Sequence, residues 1–237
     1  MIPWRQLGSA TLAGETRPLG LFQRDTEFVI RVGPLALMSS AAHGSEEALA
    51  EAACARLAGR ANPRVLVGGL GMGFTLAAAL RSLPAGARVE VAELVDAVVE
   101  WNRGPLAHLA GRPLEDPRAS VHAGDVAERI RGERAAFDAI LLDVDNGPGA
   151  LTVATNDRLY SDAGLRAAFA ALRAGGVLSV WSVQPDRAFT DRLARAGFTV
   201  EEQVVRARRD KGGRHTLWLA TRPGGRAGAA ATARRRR

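Results

Sequence analysis

The sequence predicts an α/β protein: one doubly wound sheet of seven strands with an antiparallel C-terminal edge, preceded by a small antiparallel β unit. Three observations carry this expectation. From Asn62 onwards, apolar runs of strand length alternate with amphipathic stretches of helix length. Those runs are near-continuous rather than alternating, as in parallel strands buried on both faces. The last two have no helix between them, so they pair as antiparallel neighbours.

Taken in order, residues 1–40 are short apolar runs broken by turns: "SATLAG", "LGLFQRDTEFVIRVG" and "LALMSS". "FVIRV" has the β-branched and aromatic content of a strand, and "QRDTE" reads as the hairpin turn before it. A helix comes next at "SEEALAEAACARLAG", with Ser45 as N-cap, acids in the first turn and Gly59 after the end. Residues 41–221 form the main domain. Its strands are "RVLVG", "RVEVAE", "ASVHAG", "FDAILLD", "GGVLSVWS", "FTVEEQVV" and "RHTLWLAT". Its further helices are "GFTLAAALRSL", "VDAVVEWNRG", "DVAERIRG", "DAGLRAAFAALRAGG" and "PDRAFTDRLARAG". No internal repeat is evident.

Composition narrows the class. At 237 residues, 47% apolar and 24% charged, the chain suits one globular domain with a small appendage. No window approaches about 18 uninterrupted apolar residues, which argues against a membrane span. The N-terminus lacks the basic start and apolar centre of a secretory signal. The single Cys, Cys54, reads as a helix–core contact in a reducing cytoplasm. The net charge of +7 is concentrated: residues 222–237 hold six Arg and no acid, leaving +1 for the remainder. That segment is expected to be a disordered Arg-rich tail, because Gly, Ala and Arg alone cannot build a core. It would bind nucleic acid at most weakly and nonspecifically.

Ligands of open α/β sheets bind beyond the carboxyl ends of the strands, so the strand ends carry the functional information. The first core strand runs into Gly69, Gly71 and Gly73, a G-x-G-x-G turn. This is not the dinucleotide fingerprint G-x-G-x-x-G, whose third glycine falls on Phe74 or Leu76. The turn brings backbone close to a ligand without forming a pyrophosphate pocket. The second strand ends in Glu93, about 20 residues on, where an acid can accept both ribose hydroxyls or simply sit at a helix N-terminus. The third is followed by Asp125, placed to accept an adenine amino proton, to cap the next helix, or both. The fourth ends in Asp143, followed by Val144, Asp145, Asn146 and a Gly-Pro turn. Delivering two acids and an amide from a buried run is poor structural economy, because unpaired carboxylates resist burial. That cluster reads as a site.

These features together resemble the class I S-adenosylmethionine-dependent methyltransferase fold, a Rossmann-like architecture. Within it, the N-terminal β unit, the "SEEALA" helix, "AGD", "FDAILLDVDNGP" and "NDRLYSDAGLRAAFAALRAGGVL" resemble the spermidine synthase-like, or polyamine aminopropyltransferase, family over residues 20–220. The resemblance implies that Gly69, Gly71 and Gly73 border the methionine-like part of S-adenosylmethionine or its decarboxylated form. It implies Glu93 at the ribose, Asp125 at the adenine, and Asp143 as the catalytic aspartate that steers or deprotonates an attacking amine. Asp145, Asn146, Tyr160 and Trp181 are the candidates for contacts to a small-molecule amine acceptor. No metal is expected, since alkyl transfer from a sulfonium already has a good leaving group. Pairing of the N-terminal β unit across a homodimer is also implied, with no membrane partner.

The sequence departs from that family in the half of the site that would hold a diamine. The acid usually found inside the glycine turn is Met72, the second acid of the D-x-x-D-P motif is Asn146, and Gly147 is inserted before Pro148. The family's Tyr-His pair is replaced by Ala48 and Leu49, after Glu46-Glu47, and its strand-5 Gln by Trp181. A methyltransferase is therefore the first alternative, because Met72 leaves room for the carboxylate of intact S-adenosylmethionine at the helix start. A non-catalytic nucleoside- or nucleic-acid-binding protein on the same fold is the second. Of the remaining aromatic and basic residues, Trp101 reads as core, His43 as loop surface and His122 as a buried strand residue. A serine hydrolase is excluded by the lack of G-x-S-x-G after a strand.

Overall fold

The computed structural model describes residues 2–11, 17–144, 157–208 and 212–224. The N-terminal segments form a four-stranded antiparallel sheet of β1 (Arg5–Ala10), β2 (Leu19–Arg24), β3 (Glu27–Val32) and β4 (Leu35–Ser39), in that order. The turn expected in "QRDTE" joins β2 to β3, with Asp25 in the left-handed region.

The main sheet contains β5 (Arg64–Gly68), β6 (Arg88–Glu93), β7 (Ala119–Ala123), β8 (Phe137–Leu142), β9 (Leu172–Ser182), β10 (Thr199–Arg206) and β11 (Arg214–Thr221). Its spatial order is β10-β11-β9-β8-β5-β6-β7. Strands β5, β6, β7, β8 and β9 pair in parallel, whereas β11 runs antiparallel to both β9 and β10. Because β5 is flanked by β6 on one side and β8 on the other, the winding reverses between β5 and β8. That reversal is the switch point at which doubly wound sheets open a crevice.

The helices are α1 (Gly44–Ala55), α2 (Phe74–Ser82), α3 (Asp96–Arg103), α4 (Val126–Arg131), α5 (Asp157–Tyr160), α6 (Asp162–Ala171) and α7 (Arg187–Arg195). Strand side chains alternate faces, and that parity produces two cores. Val65, Val67, Val89, Val91, Ala139, Leu141, Val177, Leu217 and Leu219 face a core completed by α1, α2 and α3. Leu66, Ala92, Ile140, Leu142, Leu178, Val180, Trp218 and Ala220 face the other, under α4, α6 and α7. The N-terminal sheet adds Leu19, Leu21, Phe28 and Ile30 to the first core. It docks on α3 where Gly8 lies against the indole of Trp101, leaving no room for a Cβ. Cys54 fills the same core, where burial pushes its thiol up to about 12.

Several expectations need correction. The sixth helix stops at Ala171 rather than near Gly176, since Leu172 already pairs with Phe137 and starts β9. Arg173 is thereby freed to meet Asp138, a carboxylate only 2% exposed inside β8. Arg60 and the Arg64 backbone N–H bind the same group, so the buried charge is fully partnered. Arg222 belongs to the fold rather than to the tail: its guanidinium donates to the carbonyls of Phe169, Ala170 and Leu172 at the end of α6. Residues 225–237 lie outside the described residues. No helix among the described residues is long and apolar enough to cross a membrane.

Asp138→Ala should therefore be the costly strand substitution at the amino end of the sheet. It removes a shared partner from two part-exposed guanidiniums and leaves the Arg64 backbone N–H without its acceptor, and a loss of about 1–3 kcal/mol is expected by urea denaturation. A loss near zero would show that solvent reaches this cluster.

Candidate functional site

The turn after β5 is made by left-handed glycines: φ is +86° at Gly69, +54° at Gly71 and +84° at Gly73. Only residues without a Cβ adopt these angles readily. At Gly69 space is lacking as well, because a Cβ there would lie 2.5 Å from the Asp143 carbonyl oxygen. Two hydrogen bonds lock this crossing: the Asp143 N–H donates to the Gly68 carbonyl at 3.0 Å, and the Gly69 N–H to the Ala92 carbonyl at 2.9 Å. At Gly71 the neighbour is Met38 of β4, so the N-terminal sheet reaches over the turn. Asn102, buried on α3, donates to the Gly71 carbonyl at 2.7 Å and to the Val98 carbonyl at 2.9 Å. Asn102 and Met38 were invisible in the sequence as site residues, since each stands in an element assigned to packing.

Glu93 is buried at the end of β6, and its two carboxylate oxygens accept from the Leu70 and Val95 backbone N–H groups, each at 2.9 Å. It is not the solvated helix-end acid of the plainer reading. Burial raises its pKa, and those backbone donors oppose the rise. Asp125 caps α4, with Oδ1 accepting from the Ala127 N–H at 2.7 Å.

Asp143 stands at the switch point, its side chain on the α1–α2 face. Thr75, in the first turn of α2, donates to its Oδ2 at 2.5 Å, and the same hydroxyl lies 3.5 Å from the Glu46 carbonyl. Glu46 is the residue that sequence reasoning missed. A first-turn acid is ordinarily a dipole-favoured surface group, yet here α1 packs over the strand ends and brings Glu46 to Asp143. Burial first, and the charge of Asp143 second, raise the Glu46 carboxyl to about 7. Burial raises Asp143 to about 6, against the opposing Thr75 bond. Ser45 is buried and does not cap α1; its hydroxyl donates to Glu46 Oε2 at 2.7 Å. His43 precedes α1 and is half-buried, not loop surface: its ring stacks on Phe74 with centroids 4.0 Å apart.

The acceptor candidates are dispersed. Trp181, at the end of β9, lies on the Asp143 face with its ring edge against His215, centroids 4.7 Å apart. Tyr160 is buried in the opposite core against Phe189, its hydroxyl 3.4 Å from the Val144 carbonyl. Asp145 and Asn146 lie outside the described residues. His122 is half-buried, because β7 is the sheet edge. Among the described residues no three His, Cys, Asp or Glu side chains gather as metal ligands would.

Sheet order, switch point and glycine turn define a Rossmann-like doubly wound α/β fold, here with an N-terminal antiparallel sheet. Among solved structures the chain is similar to spermidine synthases. It matches one in complex with the transition-state analogue AdoDATO at 19% identity and a TM-score of 0.73, covering 93% of this chain and 73% of that one. The spermidine synthase from Thermotoga maritima matches at 20% identity and 0.74, covering 93% and 74%. A probable spermidine synthase from Corynebacterium glutamicum matches at 15% and 0.62, covering 92% and 79%. No family model and no curated protein sequence matches the chain. At these identities the likeness is one of fold.

Two outcomes test the geometry. Gly69→Ala forces a Cβ against the Asp143 backbone at a positive φ, which alone costs about 1–2 kcal/mol. A clear fall in Tm is expected, and an unchanged Tm would mean that the crossing is looser than described. The raised carboxyls also set a pH dependence. They hold protons in the folded state that the unfolded chain has lost, so their contribution is complete below the ordinary carboxylate range and disappears as pH rises through about 6 and about 7. Asp143→Asn should therefore gain Tm relative to the parent protein as pH is raised from 5 to 8. A difference independent of pH would contradict the paired burial.

Proposed function

We propose that the protein is a spermidine synthase-like transferase. On this reading it binds S-adenosylmethionine or its decarboxylated form and moves an alkyl group, aminopropyl in the first instance, to a small amine. The observation that carries the proposal is the placement of Asp143. It is a half-buried carboxylate with a raised pKa, at the switch point, against the glycine turn and beside Glu46.

The residues fit such a ligand. The turn at Gly69–Gly73 is held at positive φ and against its own neighbours, so it stays free of side chains, and Glu93 and Asp125 follow neighbouring strands at the end of the sheet where this fold carries its ligands. Glu93 can give up part of its hold on backbone N–H groups to accept ribose hydroxyls. The S-adenosyl group supplies the sulfonium-activated carbon; the chain supplies position and proton transfer. Two neighbouring carboxyls attract a cationic amine. Near neutral pH the pair is poised to take one proton from it, leaving the free lone pair that alkylation needs. Formation of the N–C bond breaks the C–S bond, and the sulfonium becomes a neutral thioether. Holding the amine in line with that bond lowers the barrier further. The amine acceptor, and soluble operation without a membrane partner, belong to the same reading.

Met72 favours a second reading, methyl transfer. Its side chain is buried, 3% exposed, so the turn carries no acid of its own, and a cofactor carboxylate could rest on the N–H groups at the start of α2. The products separate the two. Aminopropyl transfer releases methylthioadenosine, and methyl transfer releases S-adenosylhomocysteine. In either case Asp143→Asn should lower kcat by about 10²-fold or more, with nucleoside affinity changed no more than a few fold. Nucleoside affinity lost together with kcat would place Asp143 in cofactor binding and sink this assignment.

A further inference from the structure

A polar chain leads away from the acid pair on the side opposite Thr75. Ser45 Oγ donates to Glu46 Oε2 at 2.7 Å, and on its other side lies 2.9 Å from His215 Nδ1. Ser45 is fully buried, so both of its contacts are dry. His215 sits in β11 on the same sheet face as Leu217 and Leu219, which is the α1 face. Its ring is half-buried, and its Nε2 bonds to no described residue. The arrangement is carboxylate, hydroxyl, imidazole, reaching from the site towards solvent.

We propose that Ser45 and His215 form a proton relay that carries the proton taken up by the Glu46–Asp143 pair out of the site. The relay rests on the transferase reading for its purpose, and on geometry alone for its existence. When Glu46 is ionised, Ser45 donates to it and the His215 Nδ1–H donates to Ser45. Once a proton is on Glu46, the imidazole changes tautomer by exchange with water, taking a proton on Nε2 and giving up the one on Nδ1; the Glu46 carboxyl then donates to Ser45 Oγ, and Ser45 donates to the bare His215 Nδ1. Passage of one proton along the chain leaves His215 doubly protonated and Glu46 ionised again. Loss of the Nε2 proton to water restores the first state. Protons balance, and neither Ser45 nor His215 touches the reacting atoms; both act through Glu46.

The surroundings of His215 suit this role. From α1 it meets Ser45, with Glu46 beyond and Asp143 beyond that. From β9 it meets the edge of Trp181, and across in β10 its register partner is Val205. The nearest cations along the strands are Arg214 and Arg206, which are each other's register partners. Burial is what holds the imidazole below its ordinary pKa, so a proton delivered there is readily released. An unrelieved proton on Glu46 would instead leave the pair unable to receive the next one.

The first test uses the free protein and needs no substrate. Histidine-selective ¹⁵N NMR from pH 5 to 9 should find His215 switching between Nδ1–H and Nε2–H tautomers as Glu46 titrates. Glu46→Gln or Ser45→Ala should abolish that switch, in proteins whose other His signals are unchanged. A tautomer indifferent to both substitutions overturns the relay. The second test is turnover of decarboxylated S-adenosylmethionine with putrescine, and of S-adenosylmethionine with the same amine. His215→Gln should lower kcat by at least about tenfold, less than loss of a group that touches the reacting atoms. KM should hold, the acid limb of the pH–rate profile should shift, and added imidazole should restore rate. An unshifted profile without imidazole rescue overturns the relay even where the NMR switch is seen. If neither donor turns over while the NMR switch is present, transfer to this diamine falls and the proton path stands.

Discussion

Asp143 and Gly69 cross at van der Waals limits, and the carboxyl end of the sheet is organised by that crossing. A Cβ at Gly69 would meet the Asp143 carbonyl at 2.5 Å, while the Asp143 N–H is bonded to Gly68. The main chain of β8 thus lies directly against the turn that leaves β5. The switch in strand order makes the contact available, and the glycine makes it close. The wider frame supports it: Glu93 ties the turn to β6, and Asn102 ties it to α3.

The consequence of that crossing is electrostatic. Two carboxyls, Asp143 and Glu46, are gathered where burial penalises their charged forms, and each makes the other harder to ionise. Such a pair is unfavourable to the empty protein near neutral pH and favourable to a cationic guest. Thr75 and Ser45 each give one hydroxyl to one acid, which fixes the carboxylates without neutralising them. Asp138 shows the opposite arrangement at the other end of the same strand. There the buried acid is surrounded by Arg60, Arg173 and a backbone N–H, and it serves stability. Two acids on one strand differ in what surrounds them, and so in what they can do.

Much of this was legible in the chain itself. "RVLVG", "RVEVAE" and "RHTLWLAT" became strands with the same limits, because near-continuous apolar runs flanked by turns leave few alternatives. The glycine turn and Asp143 were singled out because strand ends are where doubly wound sheets carry ligands, and the structure sets the two side by side. Glu46 was not, since periodicity says which helix face is apolar but not that α1 packs over the ends of the strands. Ser45 looked like a cap for the same reason: its partners, Glu46 and His215, are one and 170 residues away, and the second contact is tertiary. The end of α6 was misplaced because "LRAGG" is locally compatible with helix. Pairing of Leu172 with Phe137 decides otherwise.

The most direct measurement is calorimetric titration of the protein with decarboxylated S-adenosylmethionine, S-adenosylmethionine and methylthioadenosine in parallel. The account predicts that methylthioadenosine binds, since it fills the glycine turn and the places of Glu93 and Asp125. It further predicts that at least one of the two sulfonium compounds binds more tightly than methylthioadenosine, because the acid pair favours a cation. Preference for the decarboxylated form would select aminopropyl transfer, and preference for the intact form methyl transfer. Heat of binding from none of the three would contradict the account: the turn at Gly69 would then be architecture without a nucleoside.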